Sequence, residues 1–375
     1  MTTTIRIHAV GDVMLGEGPY YLDRGVRTAI VRHGPEHPFI AVRHVLRDAD
    51  IVLGNMEVAC STAGETSALR SRTFRGPDNG AAALALGGFT VVSLANNHFL
   101  THGHEAARDS YERLVLSGIV PVGWQPDVGS SDVSTEILSV GGHRVAIVAL
   151  CDEPTTLPHG SKRVDFPSVQ DEQVLRKIRA LKDAGNLVLL TVHWGAEYVQ
   201  VPEPRQTRLA KAWVDSGADC VLGHGPHVLQ GYEWHNGRPI VYSMGNFLFD
   251  QHFWDRTRTS AIIRLETNGS EFNLSYIPVS YSAAFQVTVS HGEEESRLRA
   301  MIDQLQHDLP HQSDIVDSAV EARYAAVAAE AYQQMRSRYL RFMLRTAPTL
   351  TVRSLCCLLR DAASRLAALV RHAGS

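Results

Sequence analysis

Residues 221–231 read VLGHGPHVLQG: an apolar, strand-like start runs into a glycine-rich turn that holds His224 and His227 three residues apart, with Pro226 between them. Working outward, similar short β-branched runs recur at 5–10, 51–53, 90–94, 144–150, 187–192, 220–222 and 240–242, and read as buried strands. Helical apolar spacing fills the gaps at 38–48, 105–117, 169–183 and 206–216. Strand and helix thus alternate over roughly the first 250 residues, which predicts an α/β fold. Residues 260–290 alternate in hydrophobicity and contain few helix formers, as antiparallel strands extending a sheet do. Beyond Gly292 the composition turns helical, at 297–309, 315–345 and 350–372, with Pro310 and Pro348 as breaks. The expected division is a domain over 1–292 and a helical extension over 293–375.

The polar residues concentrate where the predicted strands end. The first strand leads into Asp12, the second into Asn55 and Glu57, and the third into Asn96, Asn97 and His98; later strands lead to His193 and Glu197 and to His224 and His227. In open α/β sheets the carboxyl ends of strands line the ligand crevice, so residues scattered in sequence can converge there. Singly, a strand-end Asp or Asn usually satisfies backbone in a turn, and a lone histidine is more often a hydrogen-bonded side chain than a ligand. As a set, Asp12, Glu57, Asn97, His193, His224 and His227 supply the carboxylate, amide and imidazole donors that suit zinc, manganese or iron. Six such donors accommodate two divalent ions that share a carboxylate.

Composition narrows the function classes. Hydrophobic residues make up 44% and charged residues 20%, as in a packed globular chain, and the net charge of -4 gives no case for nucleic acid. Cys60, Cys151, Cys220, Cys356 and Cys357 form no CxxC pair and fit a reducing compartment. The opening MTTTIRIHAVGDVML has no basic region before a long apolar stretch, and no run reaches the ~18 apolar residues of a membrane helix. The expected location is therefore cytoplasmic. Residues 336–375 hold eight arginines against the single acid Asp361, a local +7 on a chain otherwise near -11. A helix there would pack on the domain or on a second subunit in a homo-oligomer, or lie peripherally on anionic lipid.

The motifs GDVML, GNMEVA, LANNH, HWGAEY, GHGPHVLQG and YSMGNFLFDQ, in this order over residues 8–251, resemble the capsule-synthesis CapA family, a branch of the calcineurin-like metallophosphoesterase superfamily. The resemblance implies a four-layer α/β/β/α sandwich of two mixed sheets with a two-metal centre at the strand ends. It assigns Asp12 and His227 to a first metal, Asn97, His193 and His224 to a second, Glu57 to the bridge, and His98 to the acid that protonates the leaving oxygen. One departure is Met14, which stands where the superfamily has a histidine ligand; another is His102–Gly103, where an aspartate commonly precedes the glycine. His102 and His104 then read as solvated residues at a helix start.

Further residues are expected around this centre. Asn246 would meet the pocket through its amide, Asn55 would orient Glu57, and Glu197 would position His193. Arg72 and Arg75, with Arg70, would either recognise phosphate or carboxylate or form a solvated basic loop. The leading expectation is a metal-dependent phosphoester hydrolase acting on a small or polymeric anionic substrate. Two alternatives stand beside it: a non-hydrolytic accessory protein of poly-γ-glutamate synthesis or export, and a metal-dependent amide or peptide hydrolase.

Overall fold

A computed structural model of the chain describes residues 3–66, 71–126, 133–153, 166, 169–170, 172–307, 309, 318–346 and 352. The elements run β1 (Ile5–Val13), α1 (Val26–His33), α2 (Arg43–Leu46), β2 (Ile51–Met56), α3 (Gly80–Gly87), β3 (Val91–Ser93), α4 (Gly103–Leu116), β4 (Val120–Val122), β5 (Thr135–Val140) and β6 (His143–Cys151). They continue through α5 (Glu172–Asp183), β7 (Leu187–His193), α6 (Pro204–Asp215), β8 (Cys220–His224), β9 (Tyr232–His235), β10 (Arg238–Val241) and β11 (Asn246–Leu248). Last come β12 (Thr259–Thr267), β13 (Phe272–Tyr281), β14 (Val287–Val289), α7 (Gly292–His307) and α8 (Ser318–Thr346).

Two mixed sheets result. The first orders β14-β13-β12-β1-β2-β3-β4, with β11 pairing the end of β1, and the second orders β5-β6-β7-β8-β10-β9. In the first, β1 to β4 run parallel while β12 to β14 are antiparallel, as the alternation over 260–290 predicts. In the second, β6, β7, β8 and β10 run parallel between antiparallel edges β5 and β9.

The period of two in β6 sets the layering. Val145, Ile147, Ala149 and Cys151 enter a buried cluster that also holds Ile5, Ile7 and Ala9 of β1, so they fill the space between the sheets. Ala146, Val148 and Leu150 point the other way, against Val174, Ile178 and Leu181 of α5 and Ala210 and Trp213 of α6. The first sheet is covered by α1, α3 and α4 through Ile30, Leu84 and Leu114. The architecture is therefore the expected α/β/β/α sandwich with a helical C-terminal extension. Cys60, Cys151 and Cys220 are free thiols buried within it.

The extension is tied to this core. α7 buries Leu298, Ile302 and Leu305, the last two in the inter-sheet cluster. α8 crosses the loops on one side: Tyr339 meets Tyr20 and Phe253 edge-on, and Phe342 stacks on Tyr21. Among the described residues no helix is long and apolar enough to cross a membrane. The basic helix expected over 350–372 lies outside the described residues, Val352 apart, as do Arg70, Cys356 and Cys357.

One helix is shorter than its spacing predicts. Over 38–48 only α2 is α-helical, because Phe39 is drawn into the core against Phe89 and Phe247 and the Pro38 carbonyl accepts a hydrogen bond from Val287. Tertiary burial there outweighs local helical periodicity. The edge strands β5 and β9, which are half-exposed, carry too weak a pattern to read from sequence.

Candidate metal centre

Strand register assembles the site. Parallel pairing of β1 with β2 sets Asp12 beside Asn55, and pairing with β11 sets Asp12 beside Asn246. In the other sheet, β7 and β8 align His193 with His224, and β6 aligns Cys151 with His193. The carboxyl ends of both sheets thus face one seam. Gly11 permits a very close approach: a Cβ there would overlap the Gly245 carbonyl oxygen, the acceptor for the Asp12 N–H at 2.9 Å.

Asp12, Glu57 and His193 form a buried group whose ligand atoms all lie within 4.8 Å of one another. Glu57 Oε1 stands 3.6 Å from His193 Nε2 and 3.7 Å from His227 Nε2. Asp12 Oδ2 is 3.1 Å from His227 Nδ1, and Asp12 Oδ1 is 3.6 Å from His224 Nδ1. His224 is anchored at its far nitrogen by Thr191 Oγ1 at 2.9 Å, which leaves Nδ1 facing the seam. Five of the six expected ligands are thus buried along the seam, and the sixth, Asn97, stands half-buried at its rim next to His98.

The donor set fits a cation on a direct observation. Both carboxylate oxygens of Glu57, both nitrogens of His193, Nδ1 of His224 and Oδ1 of Asn97 are buried without a hydrogen-bond partner. Such orphans are costly unless something shared satisfies them.

The charges say the same. Burial pushes the Glu57 carboxyl above its usual range, and the nearby Asp12 charge adds to this. Burial also pushes Asp12 upward, but the hydrogen-bonded His227 more than reverses it, so Asp12 stays ionised. His227 rises to about 10: burial opposes this, and Glu57 and Asp12 overcome it. His193 is likewise raised against burial, by Glu153, then Cys151 and Glu57, whereas burial lowers His224 to about 4.

Around the ligands, several expectations are corrected. Asn55 orients Asp12 and not Glu57: its Nδ2 donates to Asp12 Oδ1 at 2.9 Å, and its Oδ1 accepts from Asn96 Nδ2 at 3.0 Å. Asn96 in turn accepts from the backbone N–H groups of His98 and Phe99, which fixes the loop that carries His98. Asn246 does meet the site, with Oδ1 2.9 Å from His227 Nδ1. The carboxylate beside His193 is Glu153, at 3.4 Å from Nδ1, and not Glu197. Glu197 instead acts on His227 and Glu153 through its charge. Met14 is packed wholly in the core and offers no ligand atom to the seam.

Arg72 and Arg75 both engage partners within the chain. Arg75 is 1% exposed and donates to the carbonyls of Ser61 and Ala63, and Arg72 pairs with Asp23 at 3.0 Å. His102, expected in solvent, is half-buried and donates through Nε2 to the carbonyls of Thr73 and Phe74. These contacts frame Phe74, on which His98 stacks at 4.8 Å. Replacing Arg75 by Ala leaves two carbonyls without their donor and is expected to cost about 2–4 kcal/mol, whereas Arg72→Ala removes a half-exposed ion pair worth about 1 kcal/mol or less. Urea unfolding of both variants checks this; equal losses would remove Arg75 from the frame.

Glu153 was not anticipated. The signal was present, since residues 144–150 are a predicted strand and Cys151-Asp152-Glu153 follows its end. Burial raises its carboxyl to about 7.

Comparison with known proteins agrees with the sequence motifs. The family model described as bacterial capsule synthesis protein PGA_cap matches residues 6–251. The chain is 32% identical over 300 residues to the capsule biosynthesis protein CapA of Bacillus anthracis, covering 77% of this chain and 70% of the relative. It is 30% identical to the PGA biosynthesis protein CapA of Bacillus subtilis, covering 70% and 68%. Among solved structures, a 5'-nucleotidase precursor from Thermus thermophilus aligns with TM-score 0.43 and 11% identity, over 81% of this chain and 59% of the nucleotidase. With its ordered motifs and the extent of the family match, the chain belongs to the bacterial capsule synthesis protein family, PGA_cap.

Proposed function

We propose that the chain is a metal-dependent hydrolase that cleaves a phosphoester in an anionic, small or polymeric substrate. The observation that carries this reading is the convergence of buried, partnerless donor atoms from Glu57, Asn97, His193 and His224 on one seam. Asp12, Glu57 and His227 would hold one divalent ion, and Glu57, Asn97, His193 and His224 a second. The place of Glu57 between the imidazoles of His193 and His227 supports its bridging role. Manganese, iron or zinc suits this mixed set of oxygen and nitrogen donors, and supplies polarisation of a phosphoryl oxygen and acidification of water when bound.

The chain's own residues do the rest. Asn55 and His227 hold Asp12 in place, and Asn246 fixes the His227 ring. His98 sits at the rim on Phe74, held by the Asn96 loop. Burial lowers its imidazole to about 3, and the charges of His227 and His193 add to that, so it acts as a neutral ring. Its N–H hydrogen-bonds the leaving oxygen as charge develops there and keeps its proton, and the departing alkoxide takes a proton from solvent. We assign this chemistry to residues 1–292, against which α7 and α8 pack.

Metal analysis after reconstitution is expected to find between one and two ions per chain. Phosphomonoesters, phosphodiesters and γ-glutamyl peptides are then assayed with the wild type and with His98→Ala. The variant is expected to lose about 10²–10⁴-fold in turnover on the phosphoester that is cleaved. Less than one ion per chain, or equal turnover in both proteins, defeats the reading.

A second reading draws on the relatives' names, which describe biosynthesis and not hydrolysis. On it the centre binds an anionic capsule polymer without turnover. Metal-dependent retention of poly-γ-glutamate, with no cleavage across the substrate panel, is the result that selects it.

A further inference from the structure

We propose that Glu153 is a positioning residue that orients two ligands at once, Asn97 and His193. This rests on the metal reading of the seam. Asn97 Nδ2 donates to Glu153 Oε2 at 2.7 Å, and Glu153 Oε1 lies 3.4 Å from His193 Nδ1. Each contact uses the atom left over when Asn97 ligates through Oδ1 and His193 through Nε2. His193 Nδ1 and Glu153 Oε1 face each other without a hydrogen bond at that distance, and Asn97 Oδ1 and His193 Nε2 are buried without a partner, with Nε2 3.6 Å from Glu57.

The backbone holds the carboxylate where it can serve both. The Asp152 N–H donates to the His193 carbonyl at 2.8 Å, Asp152 pairs with Arg205 through both carboxylate oxygens, and the Cys151 thiol donates to the Glu153 carbonyl. Across from it stands Gly225 at φ +106, where a Cβ would lie 3.2 Å from Glu153 Oε1. The absence of a side chain there keeps the carboxylate between its two partners.

The chemistry requires a carboxylate. To ligate through oxygen, Asn97 must turn its NH2 outward, and to ligate through Nε2 a neutral His193 must carry its proton on Nδ1. Both outward groups are then donors, so their shared neighbour must accept on both sides. A carboxylate does this with its two oxygens, whereas an amide accepts on one side and donates on the other. Glutamine at position 153 therefore satisfies one ligand only by opposing the other.

The test uses full-length protein and Mn²⁺ or Zn²⁺, with affinity read by chelator competition and content by elemental analysis. Glu153→Gln is expected to weaken binding by about 10–100-fold, the usual effect of removing a ligand's outer partner. Combining Glu153→Gln with Asn97→Asp restores the pattern, because the amide introduced at position 153 donates to the carboxylate introduced at position 97 and accepts from His193. This double variant is expected to recover most of the lost affinity, while Asn97→Asp alone sets two carboxylates face to face and binds no better than Glu153→Gln. A merely structural Glu153 would show no such recovery. Glu153→Gln binding as tightly as wild type, or a double variant no better than the worse single one, overturns the proposal. A wild type that takes up no metal overturns the metal reading itself, and that outcome is separately visible.

Discussion

Glu57→Gln is expected to abolish metal-dependent activity while leaving a folded chain. The substitution keeps the side-chain volume, so the core around residue 57 has no cavity to absorb. It removes one negative charge from a fully buried position between two imidazoles, beside Asp12. On the proposed reading the two ligand groups lose the carboxylate they share, so both would weaken together. With several kcal/mol of transition-state charge stabilisation assigned to the ions, turnover should fall by about 10³-fold or more. Thermal unfolding gives a readout free of substrate. Metal at a hundredfold excess over its dissociation constant stabilises the wild type by about 2.7 kcal/mol. The variant should show little or none of that increment, and an increment equal to the wild type's would exclude Glu57 as a ligand.

Gly11→Ala should be among the most damaging single methyl additions near the site. The added carbon meets the Gly245 carbonyl oxygen and lies 2.9 Å from that of Met244, both of them backbone atoms that no rotamer change can move aside. Relief requires β1 and β11 to part, which breaks the Asp12 N–H contact with Gly245 and shifts Asp12 from Asn246. About 3–5 kcal/mol of stability and most of the metal affinity should go together. Gly118→Ala is the reference: its φ of +76 carries strain but nothing lies within 4 Å, so about 1–2 kcal/mol is expected. Denaturant midpoints and metal content of the two variants decide the matter. Equal losses would show that the close approach at Gly11 is not what holds the strand ends together.

The sequence was informative where a property repeats along the chain and less so where it depends on direction. Strand ends in parallel sheets face one way, so Asp12, Glu57, His193 and His224 could be grouped from order alone. Arg72 and Arg75 look the same in sequence whether their guanidinium groups meet a substrate or a carbonyl, and only the folded loop shows that Ser61, Ala63 and Asp23 take them. Glu153 follows a legible strand, yet nothing in its neighbours marks it as the partner of Asn97, 56 residues earlier. The exchange of Glu197 for Glu153 has the same origin. Glu197 is near His193 in sequence, whereas Glu153 reaches it through the β6–β7 register.

Half of the candidate centre belongs to each sheet: Asp12 lies at the end of a strand of one, whose neighbours are followed by Glu57 and Asn97, and His193 and His224 close strands of the other. Its dimensions are therefore set by the spacing and angle between two slabs, and not by any one loop. A methyl group removed from Ile7 or Ile147, deep between the sheets, is in this sense a change to the centre, since slabs that settle into the void alter every distance across the seam. The apolar layer acts as the gauge block of the site, and its packing tolerance is the tolerance to which the chemistry is held.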